Sequence, residues 1–318
     1  MHTYVARRLL ALVPSLFFAS VIVFAIVRMV PGDVIDLMLS ENDITTNAMS
    51  RADLVRALGL DGSIWEQYLH WINRILLHGD LGNSLWQQTT VLDLILLRLP
   101  TTVSLSIMAL CVSVSVAVPI GVYSAIRQDT AGDYVARSFS ILMLAVPSFW
   151  MGTMVTVLPS IWWGWSPAVQ YVSFSVDPWL HVKQMLVPAI ILGLALSAVT
   201  MRLTRTMMLE VMRQDYIRTA WAKGLSEWLV VARHALRNAL IPVVTLIGLQ
   251  APLLIGGSVI IEQIFVLPGI GLLLLDSVSR RDYPIVTGVF LVVGVSVMLI
   301  NLLVDLSYGL FDPRVRLG

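Results

Sequence analysis

The sequence predicts an all-α integral membrane protein: six transmembrane helices, a helical elbow on one face and a small helical subdomain outside. Three observations predict it. Of 318 residues, 57% are hydrophobic and only 13% charged, where soluble domains carry about a quarter charged. The mean hydropathy is +0.82. Apolar runs near 9–30, 99–126, 135–158, 184–207, 241–265 and 284–308 each supply the roughly twenty residues that a helix needs to cross a bilayer. Backbone amides find no water in hydrocarbon, so helices are the natural assignment.

The first run follows Arg7 and Arg8 and lacks a clear small-x-small cleavage site, so it reads as a retained transmembrane helix rather than a signal peptide. With the N-terminus in the cytoplasm, thirteen lysines and arginines fall in inner segments and seven in outer ones, with Arg28 at an outer membrane edge. That asymmetry sets the orientation and places both termini inside. The loop 31–98 is then external and acidic, with Asp33, Asp36, Glu41, Asp43 and Asp53 among its carboxylates. Within it "SIWEQYLHWINRILL" carries a helical apolar stripe, and Ser63 with Glu66 forms a capping-box pattern. Trp162, Trp163 and Trp165 read as an interfacial belt. Pro119, Pro147 and Pro188 sit in or near spans as candidate kinks, and Pro242 sits where a new helix is expected to begin. The single cysteine, Cys111, forms no intrachain disulfide and reads as a small buried hydrophobe.

Between the fourth and fifth runs lies "YIRTAWAKGLSEWLVVARHALRNALIP", a basic insert with Arg218, Lys223, Arg233, Arg237 and His234 against one acid, Glu227. Apolar or small residues at 217, 220, 221, 225, 228, 229 and 232 give a partial helical stripe. Gly224 favours a helix end and a turn. Two short helices joined at "KGLS" are expected, with Ser226 a possible cap for the second. On pattern alone, three uses stay open for such an elbow. It rests on anionic headgroups, it joins two spans, or it fits a groove on a cytoplasmic partner.

The residues of this insert resemble the cytoplasmic signature loop of binding-protein-dependent ABC importer permeases of the peptide/nickel subfamily. The pattern there runs close to Y-x-R-T-A-x-A-K-G-L…H-A-L-R-N-A-L-x-P. Further stretches are similar to that family in order along the chain: "VPGD" at 30–33, "GLD" at 59–61, "GDLGNS" at 79–84, "RLPTTVSL" at 98–105, "VPSFW" at 146–150, "GGSVIIEQIFVLPGIG" at 256–271, "RRDYPIV" at 280–286 and "NLLVDLSYGLFDPRVR" at 301–316. The long external first loop resembles the B-type subunit of each permease pair. Arg218, Thr219 and Ala220 stand where the broader signature has E-A-A, and Leu236-Arg237 replaces its L-P. The peptide subfamily shares these changes, so no salt bridge of the glutamate-bearing form is carried over.

The resemblance implies the type I ABC importer permease fold. It divides the chain into the tail and first helix (1–30), an external subdomain (31–98), a core of five helices (99–310) holding the coupling loop 208–240, and a cytoplasmic tail (311–318). The elbow becomes a coupling helix for a cytoplasmic ATPase, carried by Arg218, Thr219, Ala220, Trp221, Ala222, Lys223, Gly224, Leu225, Arg233 and His234. The implied partners are a second homologous permease subunit, two ATP-binding subunits and an external solute-binding protein. The chain has no G-x-x-x-x-G-K-[ST] loop, so ATP and magnesium are expected on partner subunits, with no cofactor on this chain.

The segment 265–284 reads as a re-entrant or short external helix with a turn at 267–271. The resemblance makes it the outer gate, with Glu262, Phe265, Pro268, Gly269 and Gly271 as its residues. Glu262 is open to two readings, contact with a substrate amine or the binding protein, and a plain helix-end charge. Asn301, Asp305 and Tyr308 share one face of the last span, and Asp305 is expected to pair with a basic group; Arg202 and Arg205 lie near the inner end of the fourth.

Three rival functions fit less well. A secondary transporter leaves the insert without a purpose, and no internal repeat is evident. An intramembrane enzyme finds no H-E-x-x-H and no G-x-S-x-G, and all five histidines are expected outside the spans. A channel has no use for an ATPase elbow.

Overall fold

A computed structural model describes residues 2–29, 55, 62–87, 89–166 and 170–311. The "VPGD" and "GLD" stretches, most of the acidic first loop and the C-terminal tail lie outside them. Ten helices follow in order among the described residues: α1 (His2–Met29), α2 (Ile64–His78), α3 (Val91–Ile126), α4 (Ala131–Ala145), α5 (Ser148–Trp163), α6 (Pro178–Met212), α7 (Asp215–Ala222), α8 (Leu236–Ile264), α9 (Ile270–Ser279) and α10 (Tyr283–Phe311). A helical turn, Glu227–Leu229, and a π-helical segment, Val230–Ala235, lead into α8. The β features among the described residues are confined to an isolated bridge between Asn83 and Thr90.

Four described helices are long and apolar enough to cross a membrane: Val91–Ile126, Pro178–Met212, Glu227–Gly256 and Tyr283–Val304. The third expected span is not continuous. It is the pair α4 and α5, bent by 90°. Proline disfavours helical dihedrals in the residue before it, and Val146, ahead of Pro147, is extended at φ −91°, ψ 118°. The first expected span falls on α1, whose described apolar core, Leu12–Ala25, is shorter than the others.

The chain forms two compact units. The larger holds Pro100–Leu272 and the end of α10. Its core has two parts. One gathers Leu105 and Ala109 of α3, Met185, Ala189 and Leu192 of α6, and Leu254, Ile261 and Phe265. The other gathers Ala125, Met208, Ile217, Val230, Val231 and Ala235. Between them a buried hydrogen bond joins Thr200 of α6 to Gln250 of α8 at 3.1 Å. A second buried group, His181, corrects the placement of all five histidines outside the spans, since it lies within the membrane-capable helix Pro178–Met212. Asp177 caps α6 and Pro178 starts it, before the apolar run begins. His181 therefore falls in the first helical turn, where its ring meets Ser104 Oγ at 2.7 Å and the Val172 carbonyl at 2.9 Å. Cys111, expected buried, is exposed on α3. A lone thiol is apolar enough to face lipid without a partner.

The smaller unit holds Thr3–Leu99 and Leu273–Ser296. Tyr68 of α2 seats on α1 through Ser20 and Phe24. The expected capping box is present: Ser63 Oγ accepts from the Glu66 amide, and Glu66 accepts from the Ser63 amide. The "GDLGNS" stretch is stapled to the turn before α10. The buried Asp282 carboxylate accepts from Ser84 Oγ at 2.6 Å and the Leu85 amide at 3.2 Å. The Trp86 indole donates to the Arg280 carbonyl at 2.9 Å. These bonds give "GDLGNS" and "RRDYP" a common structural reason.

Burial pushes the Asp282 carboxyl above its ordinary range, against the opposing pull of Ser84. A raised folded value means that the fold favours the protonated acid. The stabilisation is fully present below the unfolded value of about 3.9 and is lost as pH rises through the folded value. We expect the unfolding midpoint of the wild type, followed by tryptophan fluorescence, to fall as pH rises from about 4. Asp282→Asn should flatten that fall.

Candidate functional site

Two places in the larger unit carry the chemistry that the sequence singled out. The first is the turn between α8 and α9. Glu262, in the last turn of α8, is fully buried. Its Oε1 accepts from Thr102 Oγ1 at 2.7 Å and from Ser258 Oγ at 3.0 Å. Its Oε2 accepts from the amides of Gly271 at 2.8 Å and Leu272 at 3.1 Å. Four donors fill the acceptor sites of a carboxylate. Both sequence readings of Glu262 are therefore corrected: it is neither a helix-end surface charge nor free to meet a substrate amine. It closes the turn on itself and onto α3.

Thr102 is the relay. Its hydroxyl donates to Glu262 and accepts from the Ile270 amide at 2.9 Å. The turn is tight: the Leu267 amide donates to the Glu262 carbonyl at 2.8 Å, and the Gly269 amide to the Leu267 carbonyl at 2.7 Å. Phe265, Leu267 and Ile270 turn inward, while Val266 is exposed. Gly269 is required here, because any Cβ at that position collides with the Glu262 carboxyl. Gly271 is equally confined: a Cβ there would stand 2.6 Å from the Val259 Cα. Pro268 sits between them, half-buried. Val266 holds φ at +51°, a left-handed conformation that is strained for a β-branched residue. The five expected gate residues are thus brought together. Thr102 and Ser258 are the members that sequence reading missed. Their signals were present: Ser258 stands four residues before Glu262, and Thr102 lies inside the "RLPTTVSL" stretch.

The second place is the elbow. α7 ends at a turn in which Gly224 takes φ +77°. The first short helix is therefore as expected. The second arm is not a separate short helix. From Glu227 the chain runs without a break through the π-helical segment into α8, so Pro242 lies inside a helix rather than at its start. Ser226 has extended dihedrals but makes no side-chain cap bond. The turn also resets the helical phase. Ile217 and Ala220 are buried before it; Val230, Val231 and Ala235 are buried after it, in place of 228, 229 and 232. A π turn takes one residue more than an α turn, which a 3.6-residue stripe does not anticipate.

The elbow consequently has two faces. Ala220 and Leu225 point into the cluster that includes Met208 and Ala125. Arg218, Thr219, Trp221, Ala222, Lys223, Gly224 and Arg233 are exposed, and His234 is half-buried. Trp228, 78% exposed, joins that outer face and was not singled out from the sequence. Arg218 reaches Asp215 at 3.3 Å in a fully solvated pair. Tyr216 and Asn238 brace the two arms through a 2.8 Å hydrogen bond.

An ion pair between buried Asp133 and half-buried Arg205 anchors the α6 end that leads into the elbow. Arg205 grips Asp133 with two hydrogen bonds, Nε to Oδ1 at 2.9 Å and Nη2 to Oδ2 at 2.8 Å. Asp133, with no exposed surface, also accepts from Ser124 Oγ and from the Asp129 amide. Sequence reading placed Arg205 near the inner end of the fourth span and named no partner for it; the structure supplies Asp133. Asp305 and Tyr308 lie on α10 with their side chains outside the described residues; Asn301 is exposed, as is Arg202. Among the described residues no group of histidine, cysteine and carboxylate side chains has metal-binding geometry.

Residues 117–317 match the family described as the binding-protein-dependent transport system inner membrane component, and residues 1–106 match its N-terminal part. The dipeptide transport system permease protein DppB of Escherichia coli K12 is 39% identical over 99% of each chain. The di/tripeptide permease protein DppB of Pseudomonas aeruginosa is 38% identical over 99% of both. The oligopeptide permease protein AppB of Bacillus subtilis is 37% identical over 99% of this chain and all of that one.

Thr102→Val should leave the Ile270 amide and one Glu262 oxygen short of partners, at about 1–3 kcal/mol for each buried group. Val266→Gly should stabilise the same turn by roughly 1 kcal/mol by removing the left-handed strain. Thermal unfolding of the two purified variants checks both signs. Asp133→Asn should destabilise by roughly 1.5–3 kcal/mol, because it removes the charge from hydrogen bonds that the half-buried Arg205 makes.

Proposed function

The chain belongs to the family of binding-protein-dependent transport system inner membrane components, and we propose that it is a permease subunit of an ATP-driven importer for peptides. Its relatives in Escherichia coli, Pseudomonas aeruginosa and Bacillus subtilis are named as peptide permeases across their full lengths, which supports that substrate class. The observation that carries the mechanism is the two-faced elbow. Its inner face is buried against the ends of α3 and α6, and its outer face offers small residues, two tryptophans and cations.

The outer face fits a cleft on a cytoplasmic ATPase. Ala222 and Gly224 permit close backbone approach, Trp221 and Trp228 supply anchors of the kind enriched at interface hot spots, and Lys223 and Arg233 meet acids. Two such ATPase subunits, a second homologous permease and an external solute-binding protein complete the transporter. The chain sits in the bacterial or archaeal inner membrane with both termini in the cytoplasm, as its basic residues favour. ATP and magnesium act on the ATPase subunits. Closure of the ATPase dimer displaces the elbow and, through α6 and α8, the helices that carry the Glu262 turn. That turn is the outer gate, and nucleotide biases its two states. The boundaries at 30, 98 and 310 separate tail, external subdomain, core and C-terminal tail.

Gly224→Asp tests this reading in the assembled transporter. Aspartate tolerates the left-handed region, so the substitution adds charge and bulk without breaking the turn. ATPase activity in nanodiscs should lose its stimulation by the binding protein while the complex stays assembled. Retained stimulation would return the elbow to a linker or a lipid contact. Trp228→Ala should weaken stimulation without lowering the unfolding midpoint, since that side chain touches little of its own chain.

A further inference from the structure

We propose that α2 is a lipid-embedded interfacial helix, with phospholipid acyl chains of the outer leaflet covering the apolar flank that the described residues leave bare. The proposal rests on the reading that α1 crosses the membrane, and it adds a contact that this reading does not contain.

The helix is amphipathic with a wide apolar arc. At 3.6 residues per turn, Tyr68 and Trp71 occupy one side of that arc and Trp65, Leu69 and Leu76 the other, while Glu66, His70 and Arg74 lie opposite. The first side is covered by α1. The Tyr68 hydroxyl meets Ser20 Oγ at 2.9 Å, and Phe24 meets the Tyr68 and Trp71 rings at 5.5 and 5.6 Å. The second side is bare: Trp65, Leu69 and Leu76 are 68%, 60% and 75% exposed. Trp65 stands edge-on to Tyr68 at 6.5 Å, so one apolar surface runs from α1 through Tyr68 onto the bare flank. α1 itself presents bare Val13, Phe17, Phe18 and Ile22, the surface expected of a helix in lipid.

Depth gives the second argument. Arg8 and Arg28 bracket the apolar run of α1. At 1.5 Å per residue they stand about 30 Å apart, the thickness of the hydrocarbon core. Phe24 and Ser20 lie about 6 and 12 Å inward of Arg28 on the same scale. The Phe24 contact of α2 is therefore at the depth to which interfacial helices sink their apolar faces, about 5–10 Å, and the Ser20 contact lies just below it. The ends of α2 are closed against fraying by the Ser63–Glu66 capping box and by Gly79, whose amide reaches Ile75 and whose φ is +63°. The Arg74–Asp80 pair keeps its polar side without a large net charge.

The test places a single environment-sensitive fluorophore on the transporter assembled in nanodiscs. Cys111→Ser removes the native thiol, and Leu69→Cys, Leu76→Cys, His70→Cys, Asn73→Cys and Phe17→Cys are labelled one at a time. The positions are exposed, so no core contact is removed. We expect lipids with a nitroxide high on the acyl chain to remove most of the fluorescence at 69 and 76, as at 17. Aqueous iodide should quench at 70 and 73 instead. Iodide quenching at 69 and 76 would overturn the proposal, since water then covers the flank. Protection there from both quenchers would also overturn it, in favour of a protein partner. Loss of lipid quenching at 17 as well would overturn the membrane placement of α1, and with it the proposal.

Discussion

A buried carboxylate in an apolar helix has no water to solvate it, and the larger unit is organised around meeting that need at Glu262. Leaving such a group unpaired is costly in a low-dielectric interior. The chain answers by folding its own backbone onto the carboxylate. The amides of Gly271 and Leu272 open α9 against it, Thr102 and Ser258 complete the set, and Gly269 is excluded from bearing a side chain. A dipole-bearing helix start next to a carboxylate is itself favourable. Helix α9 thereby acquires a fixed origin, and α3 is tied to it through one hydroxyl. At the other end of α3, Ser124 joins the Asp133–Arg205 pair beside the elbow. The nodes at Glu262 and at Asp133 both touch this one helix.

Apolar run length made the spans legible, because membrane thickness imposes a length that periodicity does not have to supply. The break at Val146–Pro147 was less so. Proline within a span is compatible with both a mild kink and a full turn, and only packing selects the 90° result. The elbow's first arm followed from Gly224. Its second arm did not, because the turn at Gly224 resets the helical phase, with Val230 and Val231 inside and Trp228 out, and the arm then runs unbroken through a π-helical segment.

The site was legible as a set of stretches rather than as a geometry. The 265–271 turn and the elbow were both singled out. What the sequence withheld was the partner of each charge: Asp133 is more than seventy positions before Arg205, and Thr102 is 160 before Glu262. No local pattern reports pairings of that separation. The staple of Ser84 on Asp282 is of the same kind, spanning 198 positions.

The uninterrupted run from Glu227 into α8 makes the elbow's second arm part of a single rod. In mechanical terms it is a crank welded to its shaft: a push on the outer face of the elbow is delivered as rotation and translation of α8. The π-helical segment sets the angle at which that crank is mounted. A residue gained or lost between Val230 and Ala235 changes that angle by about 100°, so the length of this short stretch fixes how the elbow's outer face is oriented about the axis of α8.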